Sequence, residues 1–116
     1  MEITRAYVKS ILPHRDPEGH KGTFGKVYCL CGAVGYTGAP VLAASAAVRS
    51  GSGLVYLGVP EDIWPVEAVK CTSAMPFPLA AKDGGLALGA LEGIREKLSR
   101  CDVLALGPGL GRRAET

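Results

Sequence analysis

The residues with most to offer chemically lie between His20 and Pro40, in "HKGTFGKVYCLCGAVGYTGAP", where Gly22, Gly25, Gly32, Gly35 and Gly38 surround one short apolar run. Glycine weakens the interior of a strand or helix, so this density marks backbone that turns sharply or approaches something closely. A second turn, "GPGLG" at Gly107–Gly111, puts three glycines and a proline into five residues. Turns stripped of side chains leave backbone amides facing outward, and successive amides make a concavity that takes anions. The chemistry on offer is the binding of a small molecule, with no reaction assigned.

Three readings of these turns compete. Gly32, Gly35 and Gly38 form G-x-x-G-x-x-G after a strand and before a helix. That loosely resembles the turn that seats a dinucleotide's diphosphate on a helix N-terminus. The spacing departs from G-x-G-x-x-G, and Glu61 comes later than a ribose-binding acid should. A triphosphate loop is excluded, because no G-x-x-x-x-G-K-[ST] occurs. Third, the glycines could serve only turns and close packing.

Acid–base residues are sparse. Asp16, Asp62, Asp83 and Asp102 fall in loops or at strand starts, and no nucleophile–base pair is legible. His20 with Lys21 is the one notable polar pair beside a glycine turn, able to contact a phosphate or to remain solvated. Cys29 and Cys31 are alternate residues of a predicted strand and share a face. With Cys71 and Cys101 far off in sequence and only two histidines, they read as buried thiols, not a metal site.

The elements that must position these residues follow from periodicity. "EITRAYVKSIL" carries Ile3, Tyr7, Val8, Ile11 and Leu12 at helical spacing, an amphipathic helix expected to lie on something. "KVYCLCGA", "LVYLGVP" and "DVLALGPGLG" hold continuous apolar runs, as strands covered on both faces do. "GAPVLAASAAVRSG" is a small-residue helix with Thr37 as its cap, Pro40 in its first turn and Gly51 at its end. "EDIWPVEAVK" can make only a short or broken helix, because Pro65 interrupts it. "MPFPLA" is extended. "LALGALEGIREKLSRC" is a helix with Leu88, Leu91, Ile94 and Leu98 inward. Strands alternating with helices predict an α/β domain on a mostly parallel sheet, with both glycine turns outside the carboxyl ends of the strands, where such sheets bind ligands.

Composition narrows the class. A chain of 116 residues, 47 % apolar and 21 % charged, is one domain at most with a folded core. A net charge of +2 from scattered basic residues argues against a nucleic-acid partner. The N-terminus is neither signal nor transit peptide, and "APVLAASAAV" is too short to span a bilayer, so the expected location is cytoplasmic with no membrane partner.

Taken together, "HKGTFGKV", "GYTGAPVLAASAAVRSGSGLV" and "DVLALGPGLG" resemble the NAD(P)H-hydrate dehydratase family, a branch of the ribokinase-like fold. The resemblance spans essentially the whole chain. It implies a three-layer α/β fold with a mostly parallel sheet, here truncated, residues 1–116 being the amino-terminal portion of a single domain. It further implies dehydration of hydrated NADH or NADPH with ADP or ATP as phosphoryl donor, Mg2+ as metal, and homo-oligomers. Gly38, Ala39 and Gly109 match the family's substrate turns, with Gly107, Gly111 and Tyr36 beside them and His20 and Lys21 as possible lining. The family's catalytic aspartate belongs to a later G-T-G-D-type turn that these residues do not include. Residues 1–116 alone are therefore expected neither to turn over substrate nor to bind ADP tightly. Ser73 stands where the family often has an acid. The alternatives are a ribokinase-like kinase of a vitamin precursor or sugar, and a non-catalytic Rossmann-like nucleotide-binding or interaction module.

Overall fold

Lys26–Leu30 (β1) is the hub of the structure, a computed structural model describing residues 2–116. It pairs in parallel with Leu54–Pro60 (β2) on one side, Val27 opposite Val55. On its other side it pairs in parallel with Val103–Leu106 (β6), Tyr28 opposite Leu104. Met75–Leu79 (β3) joins the far edge of β2, so the four-stranded order is β3-β2-β1-β6, all parallel. The "MPFPLA" segment is thus a strand of the sheet. Its edge position explains how it tolerates Pro76 and Pro78, since an edge strand needs ladder donors on one side only.

The apolar runs are buried on both faces because the pleat sends alternate residues into two cores. Cys29 and Cys31, with Val55, Leu57 and Val59, pack against Ala44 of the helix Gly38–Arg49 (α2) and against Ile63, which precedes the helix Trp64–Lys70 (α3). Tyr28 and Leu30 face the opposite way. They meet Leu79, Leu86 and Ala90, with Ile94 and Leu98 of the helix Leu91–Leu98 (α4) closing the cluster. Helices therefore cover both faces of a parallel sheet, which is the three-layer α/β arrangement expected.

Several elements depart from expectation in detail. All described residues of the leading helix, Arg5–Ile11 (α1), are exposed, so its apolar face lies on nothing in this chain. Thr37 precedes α2 in a helical conformation and its hydroxyl caps nothing. Pro65 sits in the first turn of α3 and starts the helix instead of interrupting it, because that position needs no N–H donor. The last helix begins with a 3-10 turn, Leu88–Ala90, which rotates Leu88 and Leu91 outward to 62 % and 45 % exposure and leaves Ile94 and Leu98 to the core. A hairpin of Ala81–Lys82 (β4) and Gly85–Leu86 (β5) was not anticipated. Its signal is the Asp83-Gly84 pair at positive φ, 51° and 74°, a dipeptide that favours a tight two-residue turn.

Candidate functional site

Gly32–Gly38, between β1 and α2, and Gly107–Gly111, after β6, leave the carboxyl ends of neighbouring parallel strands. Register brings them into contact. The Gly32 N–H donates to the Pro108 carbonyl at 3.0 Å, and the Gly107 N–H donates to the Leu30 carbonyl at 3.2 Å. Two positions demand glycine for stated reasons. A β-carbon at Gly32 would lie 2.9 Å from Ile63 Cδ1 and closer still to the Pro40 ring, so the turn can pass over α2 only bare. At Gly109, φ is +73° and a β-carbon would lie 2.9 Å from Ala39 Cβ and 3.1 Å from Tyr36 Cβ.

The turns thus gather Tyr36, Ala39 and Gly109 at one surface, with Gly107 and Gly111 on the same loop and Gly38 next to Ala39. Around Gly38 and Gly107 there is open space. The Gly38 and Ala39 amides at the start of α2 donate to no acceptor among the described residues, and Tyr36 is 57 % exposed. Free amides at a helix start carry the positive end of the helix dipole, so this surface is electropositive without a cation in the turn itself. Lys70, 33 residues on from Thr37 in sequence, adds one: its Nζ donates to Thr37 Oγ1 at 3.2 Å. Neither Lys70 nor the hairpin, whose Gly84 carbonyl accepts from the Val34 N–H at 2.8 Å, was identified with the site from sequence. The Asp-Gly dipeptide could have flagged the hairpin; for Lys70 the sequence offers no signal.

His20 and Lys21 are not brought to this surface. Their loop packs on Gly53 at the amino ends of the strands, where the Gly53 N–H donates to the Phe24 and Gly25 carbonyls at 3.1 and 3.0 Å. His20 Nδ1 accepts from the Gly22 N–H at 3.0 Å, which spends it on holding its own loop. Five residues of strand, about 16 Å at the usual rise, separate that end from the glycine turns. The correction has a simple origin, since residues before a strand and after it lie at opposite ends of a parallel sheet.

Beneath the site, α3 carries Glu67, fully buried with neither carboxylate oxygen hydrogen-bonded. Burial raises its pKa, partly offset by Lys70. Cys31 is also pushed up, chiefly by its hydrogen bond with Cys29 and by burial, so it is a protonated core thiol and not a nucleophile. All four cysteines are unpaired. Among the described residues no three His, Cys, Asp or Glu side chains converge on a metal position, so these residues do not fit a Mg2+ cage. No described helix is long and apolar enough to cross a membrane.

Comparison with known proteins supplies the family. The family model for NAD(P)H-hydrate dehydratase matches residues 27–116. A bifunctional NAD(P)H-hydrate repair enzyme of Moorella thermoacetica is 43 % identical over 115 residues, covering 98 % of this chain and 22 % of that protein. The chain therefore spans about a fifth of the length of that relative. A solved ADP/ATP-dependent NAD(P)H-hydrate dehydratase from Bacillus subtilis, co-crystallised with ATP and Mg2+, superposes with a TM-score of 0.69 at 28 % identity, over 97 % of this chain and 38 % of that one. A ribokinase-like superfamily protein from Enterococcus faecalis shares the fold, with a TM-score of 0.76 at 22 % identity over 97 % and 37 %. With a family model covering both glycine turns and every strand of the sheet, this chain belongs to the NAD(P)H-hydrate dehydratase family.

Proposed function

We propose that residues 1–116 are the amino-terminal portion of a single ribokinase-like domain that dehydrates NADH hydrate or NADPH hydrate, and that they supply its substrate cradle. The observation that carries this reading is the interlocked pair of glycine turns, with Gly109 pressed against Tyr36 and Ala39. In this cradle the amides of Gly38 and Ala39 hold the dinucleotide's diphosphate, and the Lys70 ammonium beside Thr37 adds charge. The bare backbone at Gly107, Gly109 and Gly111 lets the substrate lie close, and the Tyr36 ring offers a face for the nicotinamide-derived ring.

ADP or ATP transfers its terminal phosphoryl group to the ring hydroxyl, leaving AMP or ADP. The C–O bond then breaks to release phosphate, and loss of a proton from the adjacent ring carbon re-forms the dihydropyridine. The described residues offer no acid or base positioned for that transfer, so their part is to bind and orient. Mg2+ finds no ligand set among them, and no step of the cradle's action passes through it. A homo-oligomer is supported by the uncovered apolar residues of α1 and β6, and a cytoplasmic location accords with a soluble dinucleotide substrate.

Equilibrium dialysis of the chain against NADH hydrate, wild type beside Gly109→Val, tests the reading. Wild type should bind, and the valine, strained at this φ and driven into Ala39 and Tyr36, should weaken binding at least tenfold. Equal binding by the two proteins would contradict it.

A further inference from the structure

We infer that Arg113 is an anion-binding residue of this cradle, its guanidinium held ready for a phosphate oxygen of the substrate's diphosphate; the inference rests on the cradle reading above. Arg113 follows the "GPGLG" turn by two residues, and its side chain reaches across to the β4–β5 hairpin. Three glycines shape the slot that it occupies. A β-carbon at Gly85 would lie 2.8 Å from Nη1, one at Gly111 3.2 Å from Nη1, and one at Gly84 3.5 Å from Nη2. Gly111 belongs to the second glycine turn, while Gly84 is hydrogen-bonded through its carbonyl to Val34 of the first. The guanidinium therefore sits where both turns and the hairpin meet.

Its charge is unanswered. Arg113 makes no salt bridge or side-chain hydrogen bond among the described residues. Glu115, which lines the same cleft of about 310 Å³, is taken by Lys82 at 2.6 Å. Asp83 also lines the cleft without pairing to Arg113. An arginine whose stem is confined and whose fork is unpaired loses little conformational freedom on meeting a phosphate, and the planar fork matches two of its oxygens. A lysine in the same slot would supply the charge without that fit.

The test is a titration of the 116-residue chain with inorganic pyrophosphate, followed by NMR at the Arg113 Nε–H and at the Gly38, Ala39 and Gly109 amides. Arg113→Gln and Arg113→Lys are measured alongside, with their melting temperatures. The inference predicts that the Arg113 Nε–H shifts on titration. It also predicts that glutamine weakens binding about tenfold and lysine less, at unchanged melting temperature. Movement of the turn amides with Arg113 Nε–H silent, and glutamine binding like wild type, would overturn the role of Arg113 and leave the cradle standing. If neither the amides nor Arg113 respond, cradle and inference fall together.

Discussion

At the scale of single residues, Glu67 sits in an environment that disfavours its charged form. It is fully buried, its oxygens lack partners, and the nearby Lys70 relieves it only in part. The sign of the consequence is fixed by linkage. A carboxyl whose folded pKa is raised holds its proton longer in the native state than in the unfolded one. Stability is then fullest below the ordinary value of 4.5 and falls as pH rises from there to the raised folded value. Glu67→Gln removes that titration. The expected result is a melting temperature that declines less between pH 4.5 and neutrality than that of wild type, read by circular dichroism. Parallel pH profiles for the two proteins would mean that Glu67 is not neutral in the fold. This residue was invisible as a special case in the sequence, where "PVEAVK" reads as an ordinary helix with one acidic side chain. Its burial is decided by where α3 lands, which no local pattern encodes.

At the scale of elements, the continuous apolar runs were enough to find β1, β2 and β6, because a strand covered on both faces has no polar face to break the run. The glycine turns could be assigned to the carboxyl ends of the strands for a related reason: in a parallel sheet every strand ends on the same side. Other elements depended on partners that only the fold supplies. The spacing of Leu88 and Leu91 fits an inward helical face, yet a 3-10 turn rotates both outward. Likewise α1 has a helical apolar stripe, yet nothing in this chain covers it.

Two changes separate elements that carry stability from those that do not. Deleting residues 2–11 should alter unfolding free energy by no more than about 0.5 kcal/mol, the usual limit for surface changes. Leu57→Ala, by contrast, opens a hole at the fully buried centre of β2 and should cost about 2–5 kcal/mol. Urea unfolding of both variants checks the contrast. A large loss from the deletion would show that α1 docks on this chain after all.

At the scale of the whole molecule, the chain is less compact than its length suggests. Its radius of gyration is 15.2 Å, whereas a compact chain of this length would have about 13 Å. Its accessible surface is 7566 Å² at 12.0 kDa, where a compact monomer would show about 6,000 Å². Exposed apolar side chains on α1 (Ile11) and on the β6 edge (Val103 and Leu106) contribute to that surface. The glycine turns lie within the four-stranded sheet's own frame, held by backbone hydrogen bonds between β1, β2 and β6, so the cradle does not depend on those uncovered faces. This is why the place of the two glycine turns at one end of the sheet could be read from motif and topology, while the charges near them, Lys70 and Arg113, could not. They arrive from α3 and from the chain beyond β6, and their proximity is a property of packing alone.

We propose that the two glycine turns together form the surface that receives the hydrated dinucleotide. Mapping backbone amide shifts of the 116-residue chain during titration with NADPH hydrate tests it most directly. Saturable shifts are expected at Gly38, Ala39, Gly107, Gly109 and Gly111, with His20 and Lys21 unmoved. Shifts centred instead on the amino-end cleft around Arg15, Phe24 and Gly51, or none at the turns at saturating ligand, would contradict it.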